Sequence, residues 1–328
     1  MKVFDFLRGL TDKVLKDKDI TYGEAYRLFD ITKQEDIVTL IGFANSIRQE
    51  FKGSVINLCA IINAKSGKCS EDCSFCSQSA HYKTQIETYP LLNREDIIKG
   101  AKEALSMGAK RFSIVISGES IKNHDELQSV CEAITYMSLN TQIGRCASLG
   151  ILTKDMAGEL KKAGLQRYHH NLETARSFFS NICTTHSYND RVDTVRIAKQ
   201  EGFQVCSGGI FGLGETSKQR LELAFELREL AVDSIPLNFL NPIPNTPLEN
   251  AAPIPPMEIL KTIAMFRFVH PKRDIRICGG RERNLRDVQS LVYFAGANGV
   301  MIGNYLTTTG SDAKRDLQLI EDLMLNWR

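Results

Sequence analysis

Short β-branched apolar runs alternate with amphipathic stretches of helical period along this 328-residue chain. The runs are VINLCAII (55–62), RFSIVIS (111–117), TQIGRCAS (141–148), RYHHNLE (167–173), FQVCSGGI (203–210), SIPLNFL (234–240), IRICGG (275–280) and GVMIGN (299–304). Between them REDIIKGAKEALSMG, TKDMAGELKKAG, SKQRLELAFELRELA and PMEILKTIAMFRFV place apolar residues at helical spacing, several ending in Gly or before Pro. Eight strands alternating with helices predict a parallel sheet. Eight such repeats over about 250 residues fit an α/β fold, a closed (β/α)8 barrel of TIM type. Residues 1–52 read as helices, with TYGE (Thr21 to Glu24) fitting a capping box. The expected organisation is an N-terminal helical extension, 1–52, on a barrel of residues 53–328.

Composition narrows the function. Apolar residues make up 43% and charged residues 24%, which supports a sizeable core and excludes disorder. The net charge of +2 is spread over 41 basic and 39 acidic side chains without a long run of either sign, so neither a nucleic-acid nor an anionic-membrane surface is indicated. The N-terminus lacks a signal-peptide core and no segment has the length of a membrane span; a cytoplasmic protein with a small substrate is expected. In a reducing compartment nine cysteines point to metal ligands, reactive thiols or core residues rather than disulfides.

Three of the nine, Cys69, Cys73 and Cys76, are spaced C-x3-C-x2-C in KCSEDCSFCSQSAHYKT, in the loop after the first strand. Barrel enzymes keep their chemistry at that mouth. A zinc knot or ordinary iron–sulfur cubane closes on four protein ligands, and no fourth cysteine is near, so one metal would remain open to a non-protein ligand. With Phe75 before its last cysteine, the triplet resembles the signature of the radical S-adenosylmethionine family. The resemblance implies a [4Fe-4S] cluster on Cys69, Cys73 and Cys76, its fourth iron chelated by S-adenosylmethionine, whose reductive cleavage yields 5′-deoxyadenosyl radicals. CSGGIFGLGET (206–216) is similar to the family's adenine-contacting segment through Gly208, Ile210 and Gly212, and SGES (117–120) offers Glu119 to the methionine amino group.

YHHNLETARSFFSNICTTHSYNDRVDT (168–194), CSGGIFGLGET, NPIPNTPL and FAGANGVMIGNYLTTTG together resemble the biotin-forming branch of that family. That resemblance implies sulfur insertion into dethiobiotin. Asn171 and Glu173 would contact cofactor and substrate, Arg191 would pair with the methionine carboxylate, Asn238 would hold the substrate's ureido ring, and His169, Thr307 and Thr308 would complete the substrate site. Period-two geometry puts His169, Asn171 and Glu173 on one strand face. The implied partners are a flavodoxin or ferredoxin electron donor and a second copy of the chain in a homodimer.

Cys146, Cys206 and Cys278 fall near the ends of the third, fifth and seventh runs of this alternation, where alternate strands share an interior layer. The branch holds an auxiliary iron–sulfur cluster there, on three cysteines and an arginine. Cys146, Cys206 and Arg276 match that pattern, but Ser113 stands at the remaining cysteine position, and Cys278 appears two residues after Arg276 on the same strand face. A four-iron auxiliary cluster on Cys146, Cys206 and Cys278 with one exogenous ligand is favoured over a [2Fe-2S] cluster with Arg276. Cys59, Cys131 and Cys183 are assigned as buried structural thiols. Radical enzymes of the hydrogenase-maturase and methylornithine-synthase types share barrel and triplet but are expected to lack the YHHNLET and CSGG combination. A noncatalytic iron–sulfur carrier is the alternative outside the enzyme class.

Overall fold

A computed structural model describes residues 2–327. Among the described residues the strands β1 (Asn57–Lys65), β2 (Arg111–Ile116), β3 (Gly144–Ser148), β4 (Arg167–His169), β5 (Gln204–Cys206), β6 (Gly209–Phe211), β7 (Ser234–Phe239), β8 (Asp274–Ile277) and β9 (Gly299–Met301) form one parallel sheet. Their order is β5-β4-β3-β2-β1-β9-β8-β7-β6, and Cys206 of β5 pairs directly with Ser234 of β7, which closes the ring. The expected barrel is therefore present, with its fifth stave split in two.

The split has a local cause. A Cβ on Gly208 would lie 2.0 Å from the carbonyl oxygen of Pro236, so the chain between β5 and β6 presses its backbone against β7. The fourth stave is also shorter than its sequence run. β4 ends at His169, and Glu173 takes a left-handed conformation, φ 68°, that non-glycine residues rarely adopt.

Alternation along the strands separates two environments. On β2, Phe112, Ile114 and Ile116 are buried against the surrounding helices, whereas Arg111, Ser113 and Val115 line the interior. Helix Arg94–Ser106 turns Ile97, Ala101 and Ala104 toward the sheet, as its helical period predicts.

The N-terminal residues form helices Val3–Leu15, Tyr22–Tyr26 and Gln34–Lys52. The capping box is as expected: Glu24 N donates to Thr21 Oγ1 (3.2 Å) and Thr21 N to Glu24 Oε2 (2.7 Å). Helix Gln34–Lys52 packs on helix Pro256–Val269, which is buried throughout from Ile259 onward. At the N-terminal end of the barrel, Ile56 N donates to Asn326 O at 2.6 Å, so the two ends of the barrel sequence meet. Fully buried Arg267 donates there to the carbonyls of Gly296, His270, Pro271 and Arg273 and to Asn298 Oδ1. No helix among the described residues is long and apolar enough to cross a membrane.

His270 follows helix Pro256–Val269 and donates Nε2–H to Ala224 O at 2.9 Å. Burial pushes its pKa down to about 3, so the folded protein holds it neutral. The unfolded chain binds this proton below about pH 6.5 and the folded chain does not, so stability falls as the pH drops from 6.5 toward 3. Between pH 7 and pH 5 the loss from this site alone should be about 2 kcal/mol. Urea denaturation at the two pH values should show that much less of it in His270→Gln.

Candidate active site

The barrel interior opens at the C-terminal ends of the strands into a chamber of about 410 Å3. The cysteine triplet sits at its mouth, in the loop after β1, and Cys69, Cys73 and Cys76 all line it. The loop is folded on itself: Cys69 N donates to Gln78 O (3.0 Å), Ala80 N to Cys69 O (2.8 Å) and Cys76 N to Cys73 O (2.9 Å). It is also tied to the segment after β4. Ser74 N donates to Ile182 O (2.8 Å), and Asp72 Oδ1 accepts from the backbone of Thr184 (2.8 Å) and Thr185 (3.2 Å). Burial pushes the Cys69 thiol up and the Cys76 thiol up to about 11. Thiolates here therefore require a metal cation to displace their protons.

Arg191, from helix Tyr188–Gln200, reaches the mouth buried. Its Nη1 donates to Asn171 O at 3.0 Å and faces Glu173 Oε1 at 3.4 Å; its Nε donates to His186 Nε2 at 3.0 Å. Because that nitrogen accepts, Nδ1 carries the imidazole proton and donates to Glu71 Oε2 at 2.5 Å. Glu71, inside the triplet, thus orients Arg191 through His186. The sequence analysis did not single out Glu71 or His186.

Asn171 accepts from Gly208 N (3.2 Å) and donates to Glu173 Oε2 (3.3 Å), while Ile210 N donates to Glu173 O (2.8 Å). His169, Asn171 and Glu173 all line the chamber as expected, joined by His170, which was not foreseen. Burial lowers the pKa of His169 to about 4, so it stands there as a neutral imidazole. Asn238 spans the broken fifth stave and the turn after β8, donating to Gly209 O (3.2 Å) and accepting from Gly279 N (3.0 Å). One N–H and one lone pair of that amide stay available to a ligand. Phe75, Glu119, Ile210, Thr307 and Thr308 also line the chamber, and Thr307 Oγ1 lies 2.9 Å from Ser77 Oγ. Gly208 and Gly212, expected at the cofactor, do not line the chamber; Gly212 N donates to buried Glu215, which shapes the turn.

Deeper in the barrel, Cys146, Cys206, Cys278 and Arg276 line the same chamber, and Ser113 lies beside Cys146 on the neighbouring strand. Two of the three thiols assigned as structural are placed otherwise. Cys59 points inward from β1, beside Arg276 and Cys206, because it shares the inward period of its strand with Ile61. Burial and then the Cys59 and Cys206 sulfurs push the Cys278 thiol well above its ordinary range. Cys183 lies against the triplet: its Sγ is 3.3 Å from His186 Nδ1, and its sulfur, that of Cys73 and a His186 nitrogen lie within 4.8 Å of one another. The Asp72 hydrogen bonds carry it there. Cys131 is on helix His124–Asn140, away from the chamber, and is half-buried against the core rather than buried as assigned.

Residues 64–227 match the family model of the Radical SAM superfamily. With the closed barrel and the triplet at its mouth, this makes the chain a radical S-adenosylmethionine enzyme. Residues 236–326 match the Biotin and Thiamin Synthesis associated domain. The chain is 51% identical over 320 residues to the biotin synthase of Geotalea daltonii, covering 98% of this chain and 97% of that one. It is 52% identical over 316 residues to the biotin synthase of Trichlorobacter lovleyi, covering 96% and 95%. The chain belongs to the biotin synthase family. Among solved structures, methylornithine synthase superposes with a TM-score of 0.86 at 21% identity over 97% of both chains. The FeFe-hydrogenase maturase of Carboxydothermus hydrogenoformans gives 0.82 at 19% identity over 97% of this chain and 78% of its own. At those identities the likeness is one of fold, and the sequence separates this chain from both.

The pressed backbone at the fifth stave holds Asn171 and Asn238 in place, so its glycine is not replaceable. Gly208→Ala sets a Cβ against the Pro236 carbonyl, and the overpacking should cost about 1–3 kcal/mol. Equilibrium urea denaturation should show this loss with an unchanged m-value.

Proposed function

We propose that this chain converts dethiobiotin to biotin by radical sulfur insertion. The observation that carries the reading is the pairing, within one chamber of the barrel, of a three-thiol group at the mouth with a second group of thiols deeper inside. When bound, the cluster at the mouth with S-adenosylmethionine supplies 5′-deoxyadenosyl radicals, and the auxiliary cluster supplies the sulfur. Two substrate C–H bonds are broken, their hydrogens leave in two 5′-deoxyadenosines, and two C–S bonds form.

Cys69, Cys73 and Cys76 hold the first [4Fe-4S] cluster. Arg191, oriented by His186 and Glu71, receives the methionine carboxylate, and Glu119 and Glu173 take the amino and ribose side with Asn171. Phe75 and Ile210 bound the adenosyl group. Neutral His169, Asn171, Asn238, Thr307 and Thr308 surround the ureido substrate between the two sulfur groups. The residues mainly place: an unactivated C–H bond has to be held close to the radical and away from water. Residues 1–52 form an extension to the barrel of 53–328. The reading includes a flavodoxin or ferredoxin as electron donor, a homodimer and a cytoplasmic setting.

The donor set favours a four-iron auxiliary cluster on Cys146, Cys206 and Cys278. Arg276 is spoken for by protein: Nε donates to Ser234 Oγ (3.0 Å), Nη1 to Asn57 O (3.1 Å), and Nη2 faces Asp274 at 3.5 Å. As an iron ligand it would have to give up a proton, whereas thiols are at hand.

Protein reconstituted under anaerobic conditions should form biotin from dethiobiotin, identified by mass spectrometry of the product. Alanine at Cys69, Cys73 or Cys76 should abolish 5′-deoxyadenosine formation, because loss of one thiolate leaves a second iron open and the cluster labile. Deoxyadenosine persisting in any one of these variants would remove that residue from the site.

The auxiliary centre has its own readout. The loaded protein should hold about eight irons per chain, against about six for a cubane with a two-iron cluster. Cys278→Ser should lose the auxiliary iron and biotin formation while S-adenosylmethionine cleavage survives; Mössbauer spectra would distinguish the cluster types.

A further inference from the structure

The mouth carries one sulfur that the proposed chemistry does not use. Asp72 Oδ1 accepts from Thr184 N at 2.8 Å and Ser74 N donates to Ile182 O at 2.8 Å, so the residues on either side of Cys73 are bonded to the residues on either side of Cys183. Cys73 therefore faces Cys183 across two segments that run antiparallel. Facing residues of an antiparallel pair lie about 4.5–5.5 Å apart at Cα, inside the span of about 4.4–6.8 Å that a disulfide bridges. The side chains turn toward each other: both sulfurs and a His186 nitrogen lie within 4.8 Å of one another, and both cysteines are buried.

Cys183 is badly placed to be a fourth ligand of the mouth cluster. Cys69, Cys73 and Cys76 line the chamber and Cys183 does not, so it stands behind Cys73, away from the space where S-adenosylmethionine would bind. It is also held there: its sulfur is 3.3 Å from His186 Nδ1 and 3.6 Å from Thr185 Oγ1, and both of those residues are bonded to Glu71. While Cys73 is bound to iron, Cys183 has no thiol beside it to react with. Once the cluster is lost, Cys73 is a bare thiol on the chamber wall with a second thiol fixed against it. A thiol in that position oxidises through sulfenic acid to sulfinic acid, which ordinary thiols do not reverse, unless a neighbouring thiol intercepts the sulfenic acid.

We propose that Cys183 forms a disulfide with Cys73 when the mouth cluster is lost, and that this bond shields Cys73 from irreversible oxidation until iron is reloaded. This rests on the reading of the triplet as a cluster site. Hydrogen peroxide oxidises the Cys73 thiol to a sulfenic acid and leaves as one water. The Cys183 thiol then attacks that sulfur: the S–S bond forms, the S–O bond breaks and a second water leaves. Two thiols have thus given two electrons to one peroxide. A dithiol returns them by exchange, and Cys73 is again free to bind iron.

The test compares the full chain loaded anaerobically with the same chain stripped of iron and treated with hydrogen peroxide. Trypsin without reductant releases residues 69–83 and 177–191 as separate peptides. The stripped, treated chain should show them joined, with fragmentation placing the bond between Cys73 and Cys183 and dithiothreitol releasing it; the loaded chain should show no such bond. Cys183→Ser, loaded anaerobically, should cleave S-adenosylmethionine as the wild-type protein does. Stripped and treated, it should carry several-fold more sulfinic acid at Cys73 than wild-type protein, read by peptide mass. A bond to Cys183 from Cys69 or Cys76, or pairing within the triplet while Cys183 stays free, overturns the proposal. So does equal sulfinic acid at Cys73 in the two proteins. Loss of deoxyadenosine formation in anaerobically loaded Cys183→Ser would make Cys183 part of the cluster site and overturn it as well. Wild-type protein that forms no deoxyadenosine would instead overturn the reading of the triplet on which the disulfide rests.

Discussion

Closure of the parallel sheet is the constraint on which the rest depends. Once Cys206 pairs with Ser234 the barrel has no open edge, and every second residue of each strand is committed to the interior. Such interiors are ordinarily filled by branched apolar side chains. Here the inward positions carry four thiols, three guanidinium groups, serine hydroxyls and an imidazole. An interior of this kind cannot collapse onto itself, because its cations repel and its donors lack acceptors; it is a shell for something else. Stability is supplied outside the sheet, where apolar faces of the strands meet the helices, and at the N-terminal end, where the hydrogen bonds of Arg267 seal the barrel.

The mouth is organised by a different principle, in which one loop is made rigid by another. Asp72 binds the backbone of Thr184 and Thr185, Glu71 fixes the tautomer of His186, and His186 accepts from Arg191. The triplet proposed to hold the cluster and the arginine proposed to hold the methionine carboxylate are thereby one mechanical unit. Radical generation needs both in register, and these hydrogen bonds provide it before any ligand arrives. The same connection explains why Cys183 stands beside Cys73 instead of in the outer core.

Irregular backbone marks the middle of the chamber. The fifth stave breaks where Gly208 meets Pro236, and Glu173 holds a left-handed conformation across from Gly209. A continuous strand there would send its side chains in strict alternation. The break instead presents the amides of Asn171 and Asn238 and the Glu173 carboxylate between the two thiol groups, where the substrate is proposed to lie. Strain of this kind persists only because the surrounding strands over-determine it.

The amino-acid sequence by itself determined the barrel, the helical extension, the place of the triplet and the inward set Cys146, Cys206, Arg276 and Cys278, because these follow from period and spacing, which are local properties of the chain. Period two also contained Arg111, Arg167 and Cys59, each two residues from an inward neighbour, but in one dimension a buried arginine reads as a solvated strand end and a lone cysteine as core. Only the tertiary structure decided that Cys183 faces Cys73, that Glu71 reaches Arg191 through His186, and that two arginines share a glutamine and no carboxylate. Each of these depends on residues more than thirty positions apart in sequence or on the absence of a partner, apart from the short step from His186 to Arg191. Hydrogen bonds and ion pairs act over a few ångströms in space, and the chain reveals those separations only after the ring of strands has closed.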